Sequence, residues 1–242
     1  MTQEYYLFLL LALIAEIIGT ISGFGSSILF VPIAAIFFPF KEVLGITAVF
    51  HVFSNLSKIF LFRKGIDKNI VLKLGIPAII FVIIGALLTD FIPQKEIELG
   101  MNIILIFLSV YLVFTTNKKL EQSNQNLYAG GAISGFLAGL IGTGGAIRGI
   151  TLAAFNLEKS IFIATSAMID LGVDSSRAAI YVYNGYFLKK YLILIPFLIL
   201  ISIIGSWIGK LILQKISDIY FKYIVLLLIV GTSIYQLVKY FN

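Results

Sequence analysis

The chain has 242 residues, of which 60% are hydrophobic and 12% charged, with a net charge of +6 and a mean hydropathy of +1.03. A soluble domain of this length cannot cover itself with so few charges, so the composition points to an all-α, polytopic helical membrane protein whose spans use the whole chain. Cysteine is absent and His51 is the only histidine, which excludes disulfides, thiolate catalysis, iron–sulfur clusters and multi-histidine metal or haem sites; no cofactor is expected.

The N-terminus has no basic flank and no small-residue cleavage site, and reads as a retained first helix rather than a signal peptide. The first apolar run, Tyr5 to Ile21, ends in Ser22-Gly23-Phe24-Gly25-Ser26-Ser27. A second run, Ile28 to Phe38, stops at Pro39. The two together are too long for one crossing of a bilayer, and the second is too short to cross alone, so a bent hairpin or broken helix is expected. Val43 to Phe62, Ile70 to Phe91 and Ile97 to Thr116 are long enough to span. The polar, basic stretch 117–126 is the one clear linker; it divides a first membrane repeat, 1–116, from a second, 127–242.

The second half follows the same plan. Leu127 to Ile141 leads into Gly142-Thr143-Gly144-Gly145-Ala146-Ile147-Arg148, a short piece runs from Ile150 to Leu157, and Ser160 to Val182, Tyr191 to Ile212 and Ile219 to Phe241 are full spans. At an offset of 119 residues Gly23 falls on Gly142, Gly25 on Gly144 and Pro77 on Pro196, while His51, Asn55 and Lys58 fall on Asp170, Asp174 and Arg177. The fold expected is therefore two homologous repeats, each a broken or re-entrant helix plus three full spans. If each broken element returns to its starting side, the repeats are inverted, and Arg63, Lys64, Lys68, Lys118, Lys119, Lys159, Lys215 and Lys222 share the lysine- and arginine-rich side expected to be cytoplasmic. If each crosses once, the repeats are parallel and the bias is smaller. The inverted arrangement is preferred.

Duplicated halves with glycine-interrupted segments at matching positions are a transporter signature and mark the binding site. A helix that restarts after a break presents unpaired N–H groups and the positive end of its dipole, and glycine lets an anion approach them. Gly25, Ser26, Ser27, Gly142, Thr143, Gly144, Gly145 and Arg148 are the expected substrate contacts, with Arg148 supplying a planar fork for an oxyanion. The competing reading, glycines that permit tight helix packing, covers Gly130, Gly131, Gly135 and Gly139 well. Glu16, His51, Asn55, Lys58, Asp170, Asp174 and Arg177 form the remaining polar set at membrane depth. Asp170, Asp174 and Arg177 share one helix face at i, i+4 and i+7, and His51, Asn55 and Lys58 share the equivalent face. They read either as an ion-pair network that locks the halves together or as groups that balance substrate charge or relay a proton, with Glu16 free to pair with Arg148 or Lys58.

The chain resembles the sulfite exporter TauE/SafE family. The resemblance rests on Ser22-Gly23-Phe24-Gly25-Ser26-Ser27 with Pro32 after it, on 135–145, and on Ala164-Thr165-Ser166 opening the next helix. The family's glycine-rich element followed by proline is altered here: Ser26-Ser27 replace further glycines, and Thr151 stands where the second copy would carry the proline. The resemblance implies a permease for sulfite, sulfonates or related organic acids in the cell membrane. The function expected is alternating-access transport of a small anion, with the lipid bilayer as the other partner and no nucleic acid; proton or ion coupling is left open, as is the oligomeric state, a homodimer included. An anion channel is the nearest alternative. An intramembrane serine protease built on Ser26 or Ser27 with His51, and a non-transporting membrane subunit, stand further off.

Overall fold

A computed structural model describes residues 3–62, 65–114 and 121–213, together with 215, 230, 234, 237 and 238. Most of the expected last span, 219–241, and the basic residues 63, 64, 118 and 119 lie outside that set. The described residues form α1 (Gln3–Ser22), α2 (Ser27–Phe37), α3 (Phe40–Leu61), α4 (Lys68–Leu88), α5 (Gln94–Phe114), α6 (Asn124–Ile141), α7 (Gly145–Ala153), α8 (Lys159–Tyr183) and, after a 3₁₀ turn at Lys189–Leu194, α9 (Ile195–Leu213). Among the described residues α1, α3, α4 and the segment ending in α9 are long and apolar enough to cross a membrane. Helix α8 is as long, but Asp170, Asp174 and Arg177 interrupt its apolar character.

Both expected breaks are present. After α1, Gly23 (φ 71°) and Gly25 (φ 84°) take left-handed conformations that no α-helix accommodates. Helix α2 then runs only to Phe37, because Pro39 holds the residue before it extended (Phe38, φ −132°, ψ 152°). The pair turns back on itself: the Tyr5 ring near the start of α1 lies 6.1 Å from that of Phe38 at the end of α2. In the second half α6 ends on Gly142 (φ 81°), the left-handed position that closes many helices. Helix α7 restarts at Gly145, five residues before the expected Ile150, and stops at Ala153. The early restart follows from packing: Gly145 lies directly on the Phe24 carbonyl and Gly144 on that of Ser134, so the chain resumes helical form as soon as the left-handed cap is passed. Here too the pair returns, with Gln122 Nε2 just ahead of α6 donating to the Ala154 carbonyl just after α7, 2.9 Å away.

Helix α3 packs on α8 at the centre, α1 on α9, and α4 on both α6 and α8. The α4–α6 contact is made backbone to backbone. Gly131, Gly135 and Gly139 lie on the carbonyls of Leu74, Ala78 and Val82, and Gly85 on that of Phe136, the small-residue seam by which helices associate in lipid. On α9, Gly205 receives the Glu16 side chain and Gly209 that of Thr20. The outer faces of α4 and α9 carry exposed Leu72, Ile76, Ile80, Leu200, Ile203 and Trp207, as a lipid-facing surface requires.

The seam yields a contrast between two glycines. A methyl group on Gly135 would fall 2.6 Å from the Ala78 Cα, whereas one on Gly100 in α5 meets nothing within 4 Å. Gly135→Leu should destabilise by about 3 kcal/mol or more, read as loss of a monodisperse peak and early thermal unfolding in detergent. Gly100→Ala should be neutral or stabilising by roughly 1 kcal/mol.

Candidate functional site

The two breaks meet inside the bundle. Ser27 Oγ in the first lies 3.2 Å from Thr143 Oγ1 in the second. Ser26 occupies the N-cap position of α2 but makes no side-chain bond to that helix. Its hydroxyl lies instead 2.6 Å from Glu16 Oε2 and 2.9 Å from His51 Nε2. The hairpin brings this about: ten residues of chain fold back so that Ser26 meets the helix it has just left.

Glu16 is wholly buried and its carboxylate is fully engaged. Oε1 accepts from Ser54 Oγ at 2.7 Å, from Ser206 Oγ at 2.8 Å and from Thr20 Oγ1 at 3.4 Å, and pairs with Lys58 Nζ at 2.9 Å. Of the two partners left open for Glu16, Lys58 is the one it meets. Lys58 also donates to Ser54 Oγ at 2.7 Å.

Arg148 rises from α7 and is 3% exposed. It forms an ion pair with Asp170 through Nη1 and donates from Nε to Ser166 Oγ at 3.0 Å. Gly25 leaves room for it: a Cβ at position 25 would lie 3.3 Å from Arg148 Nη2 and 3.9 Å from Asp170 Oδ2. The cation of the second break thus faces the first break, already neutralised by a carboxylate one helix away.

The remaining stripe residues pair across the α3–α8 contact. Asn55 Nδ2 donates to Asp174 Oδ2 at 2.7 Å, and Arg177 holds Asp174 Oδ1 from Nε at 2.7 Å and from Nη2 at 2.6 Å. The third arm of Arg177, Nη1, donates to the Ala138 and Gly142 carbonyls at 3.0 and 2.6 Å, and Tyr181 one turn on donates to that of Gly139. These carbonyls belong to the end of α6, where the helix leaves them without internal partners. For Asp174 and Arg177 the geometry is that of a structural lock.

A small cavity of about 10 Å³ lies between these groups, the room of one water. Of the residues singled out from the sequence, Glu16, Gly142, Thr143 and Gly145 stand outside its lining, and all the others line it. A second small space shares Gly25, Asn55, Lys58 and Asp170 with it and continues past Gly23 and Ile163 towards the start of α8. At the opposite end the bundle is closed by polar contacts. Asp90 accepts from Tyr186 Oη and Asn184 Nδ2, each at 2.6 Å, and Glu42 accepts from Tyr191. Ser54 and Ser206 are not among the residues expected from the sequence, and Ser166 is there only as part of the Ala164-Thr165-Ser166 motif. Ser54 and Ser166 each stand four residues from a charged stripe member, Lys58 and Asp170, and that spacing was the available signal. For Ser206 no signal existed, since α9 reaches Glu16 only through tertiary packing.

Residues 8–236 match the family described as Sulfite exporter TauE/SafE. The chain is also 28% identical over 240 residues to a probable membrane transporter protein of Methanocaldococcus jannaschii, covering 87% of each chain. No solved structure matches it.

Proposed function

The chain belongs to the sulfite exporter TauE/SafE family and is a multi-pass membrane transporter, and we propose that it moves a small sulfur-containing or organic anion through this cavity by alternating access. The observation that carries the reading is the buried Arg148–Asp170 pair facing Gly25 where the two breaks meet. An arginine fork at membrane depth binds oxyanions in two-pronged fashion, and Asp170 is an internal stand-in that an incoming anion displaces. Gly25, Ser26, Ser27 and Gly144 form the neutral part of the site. A cavity with room for one water is smaller than a sulfite or sulfonate, so taking up the anion requires the two breaks to move apart.

The repeat reading is supported by the packing. Exchanging α1 with α6, α3 with α8 and α4 with α9 turns the α1–α9 contact into α6–α4, turns α3–α9 into α8–α4, and leaves α3–α8 unchanged. Asn55 and Asp174, equivalent at the 119-residue offset, touch each other, as equivalent residues do beside a two-fold axis. Inversion is supported by the two hairpins, which return at opposite ends: α2 delivers the chain to the start of α3, and α7 to the start of α8, beside the end of α3 (the Asp67 N–H donates to Thr165 Oγ1 at 3.0 Å). The space past Gly23 and Ile163 then leads to the side carrying Lys68 and Lys159, the cytoplasmic side by the positive-inside rule.

Purified protein in liposomes should give saturable sulfite or sulfonate flux that accelerates when unlabelled anion is present on the far side. Unitary currents in planar bilayers without such acceleration would establish a channel instead. One observation favours a second reading. The Ser26–His51 pair has the spacing of an activated serine nucleophile. Its serine is also bound by Glu16, however, and His51 Nδ1 faces the Thr47 carbonyl 2.7 Å away rather than an orienting acid. A fluorophosphonate probe should leave the protein unlabelled, and labelling at Ser26 would reopen the hydrolase reading.

A further inference from the structure

The hydrogen bonds around Ser26 do not balance with the ordinary protonation of their partners. A hydroxyl has one proton to donate, and Ser26 Oγ lies within hydrogen-bond distance of two groups, Glu16 Oε2 at 2.6 Å and His51 Nε2 at 2.9 Å. The partner of His51 Nδ1 is the Thr47 carbonyl oxygen at 2.7 Å, which can only accept, so Nδ1 carries a hydrogen. A neutral His51 therefore has a bare, accepting Nε2. With Glu16 ionised as well, Ser26 would face two acceptors with one proton, and one contact would set lone pair against lone pair in a buried site.

Both contacts are satisfied only when the three residues hold one further proton, and there are two ways to hold it. In the first, Glu16 is a carboxylic acid that donates to Ser26, and Ser26 donates to His51 Nε2. In the second, Glu16 is a carboxylate that accepts from Ser26, and an imidazolium Nε2–H donates to Ser26. The Glu16 proton passes to Ser26 Oγ as the Ser26 proton passes to Nε2. The carboxylate and the imidazolium form together, the hydroxyl is regenerated, and no heavy atom has to move.

The charges around the cavity say when this proton is wanted. Lys58 on α3, Arg148 on α7 and Arg177 on α8 face Glu16 on α1 and Asp170 and Asp174 on α8; α9 contributes only the Ser206 hydroxyl to this group. With Glu16 ionised and His51 neutral, three cations meet three anions. An arriving anion would leave the buried site with a net negative charge, which is costly at membrane depth. One proton on the Glu16–Ser26–His51 unit restores neutrality, and where it rests on Glu16 it also loosens the hold on Lys58, a cation that lines the cavity.

We infer that Glu16, Ser26 and His51 form a one-proton relay in the cavity wall, loaded once per bound anion so as to offset one of its negative charges. The inference rests on the anion-transport reading for its purpose, while the relay itself rests on the hydrogen-bond count.

Because His51 is the chain's only histidine, ¹⁵N-histidine labelling of protein purified without a polyhistidine tag reports on it alone. In the wild type the Nε2 resonance should move as pH is lowered, in step with uptake of one proton per chain measured with an indicator dye. In Glu16→Gln, where the amide N–H donates to Ser26 permanently, it should stay at the position of a neutral imidazole bonded through Nε2. A flat wild-type resonance, or a histidine that titrates identically in Glu16→Gln, overturns the relay, and neither measurement needs a ligand. A small sulfonate, whose single charge is fixed near neutrality, then tests the coupling. Its binding to the wild type should take up one proton and weaken about tenfold per pH unit above the loading point, whereas binding to Glu16→Gln should take up none and be flat with pH. Binding to the wild type without proton uptake overturns the coupling and leaves anion transport standing. Absence of binding by both the sulfonate and sulfite overturns the transport reading and the coupling with it, and the histidine titration still decides the relay.

Discussion

Arg148→Ala should reduce anion flux in proteoliposomes by roughly 100-fold or more, and it should do so even when the protein's stability is repaired. The Arg148–Asp170 pair is buried on both sides, with side-chain exposures of 4% and 13%. Removing the arginine alone leaves Asp170 as an unpaired charge, a change that costs about 3–5 kcal/mol in buried pairs and depresses flux through misfolding alone. Arg148→Ala combined with Asp170→Asn separates the two effects, since the double variant has no orphan charge and should regain most of the lost thermal stability. If Arg148 is the fork that takes the anion, flux stays low, because two charge-assisted bonds worth about 1.5–3 kcal/mol each are still missing. Asp170→Asn alone should shift function the other way. The internal competitor is gone and the anion binds more tightly, by about 5–150-fold for a typical coupling of 1–3 kcal/mol, with slower turnover because release no longer has a carboxylate to assist it. Near-wild-type flux in the double variant would remove Arg148 from the site and leave the pair as a structural strut.

The sequence made the two breaks legible because left-handed backbone leaves a residue-level mark. Gly23, Gly25 and Gly142 stand where apolar periodicity stops, and all three have positive φ. It also put Asn55 and Asp174 on polar faces of two helices expected to meet, and the two are hydrogen-bonded. It could not say what a glycine makes room for. Gly144 and Gly145 each lie against a neighbouring carbonyl, and a glycine admitting an oxyanion and one admitting a backbone oxygen look the same in one dimension. Nor could it assign the ion pairs. Three carboxylates and three cations at similar depth allow several matchings, and the one adopted depends on which helices touch: Lys58 meets Glu16 because α1 and α3 both pack on α9, which leaves Arg148 to Asp170. The stripe at 170, 174 and 177 defines a face, but a guanidinium has three nitrogens, and nothing in that spacing shows that one of them serves the α6 carbonyls.

That last function makes Arg177 the most consequential side chain for the fold. Arg177→Met should destabilise the protein by about 3–5 kcal/mol, which for a chain of this size lowers thermal unfolding in detergent by about 10 °C. Three losses combine. Asp174 keeps its bond from Asn55 but loses the cation it pairs with. The Ala138 and Gly142 carbonyls lose Nη1 at the point where α6 ends, and buried acceptors left without donors cost about 1–3 kcal/mol each. The site is 1% exposed, so water has no ready way in to replace them. Arg177→Lys should restore little, because a single ammonium cannot reach one carboxylate and two carbonyls from the planar geometry they were built around. Adding Asp174→Asn to Arg177→Met removes the orphan charge and leaves the orphan carbonyls, so the double variant should recover part of the loss, and the interaction energy of the cycle apportions it. If Arg177→Met unfolds at the wild-type temperature, the end of α6 must be held by the glycine seam against α4 alone. Arg177 would then be free for the same role proposed for Arg148, and a drop in flux without a drop in stability would be its signature.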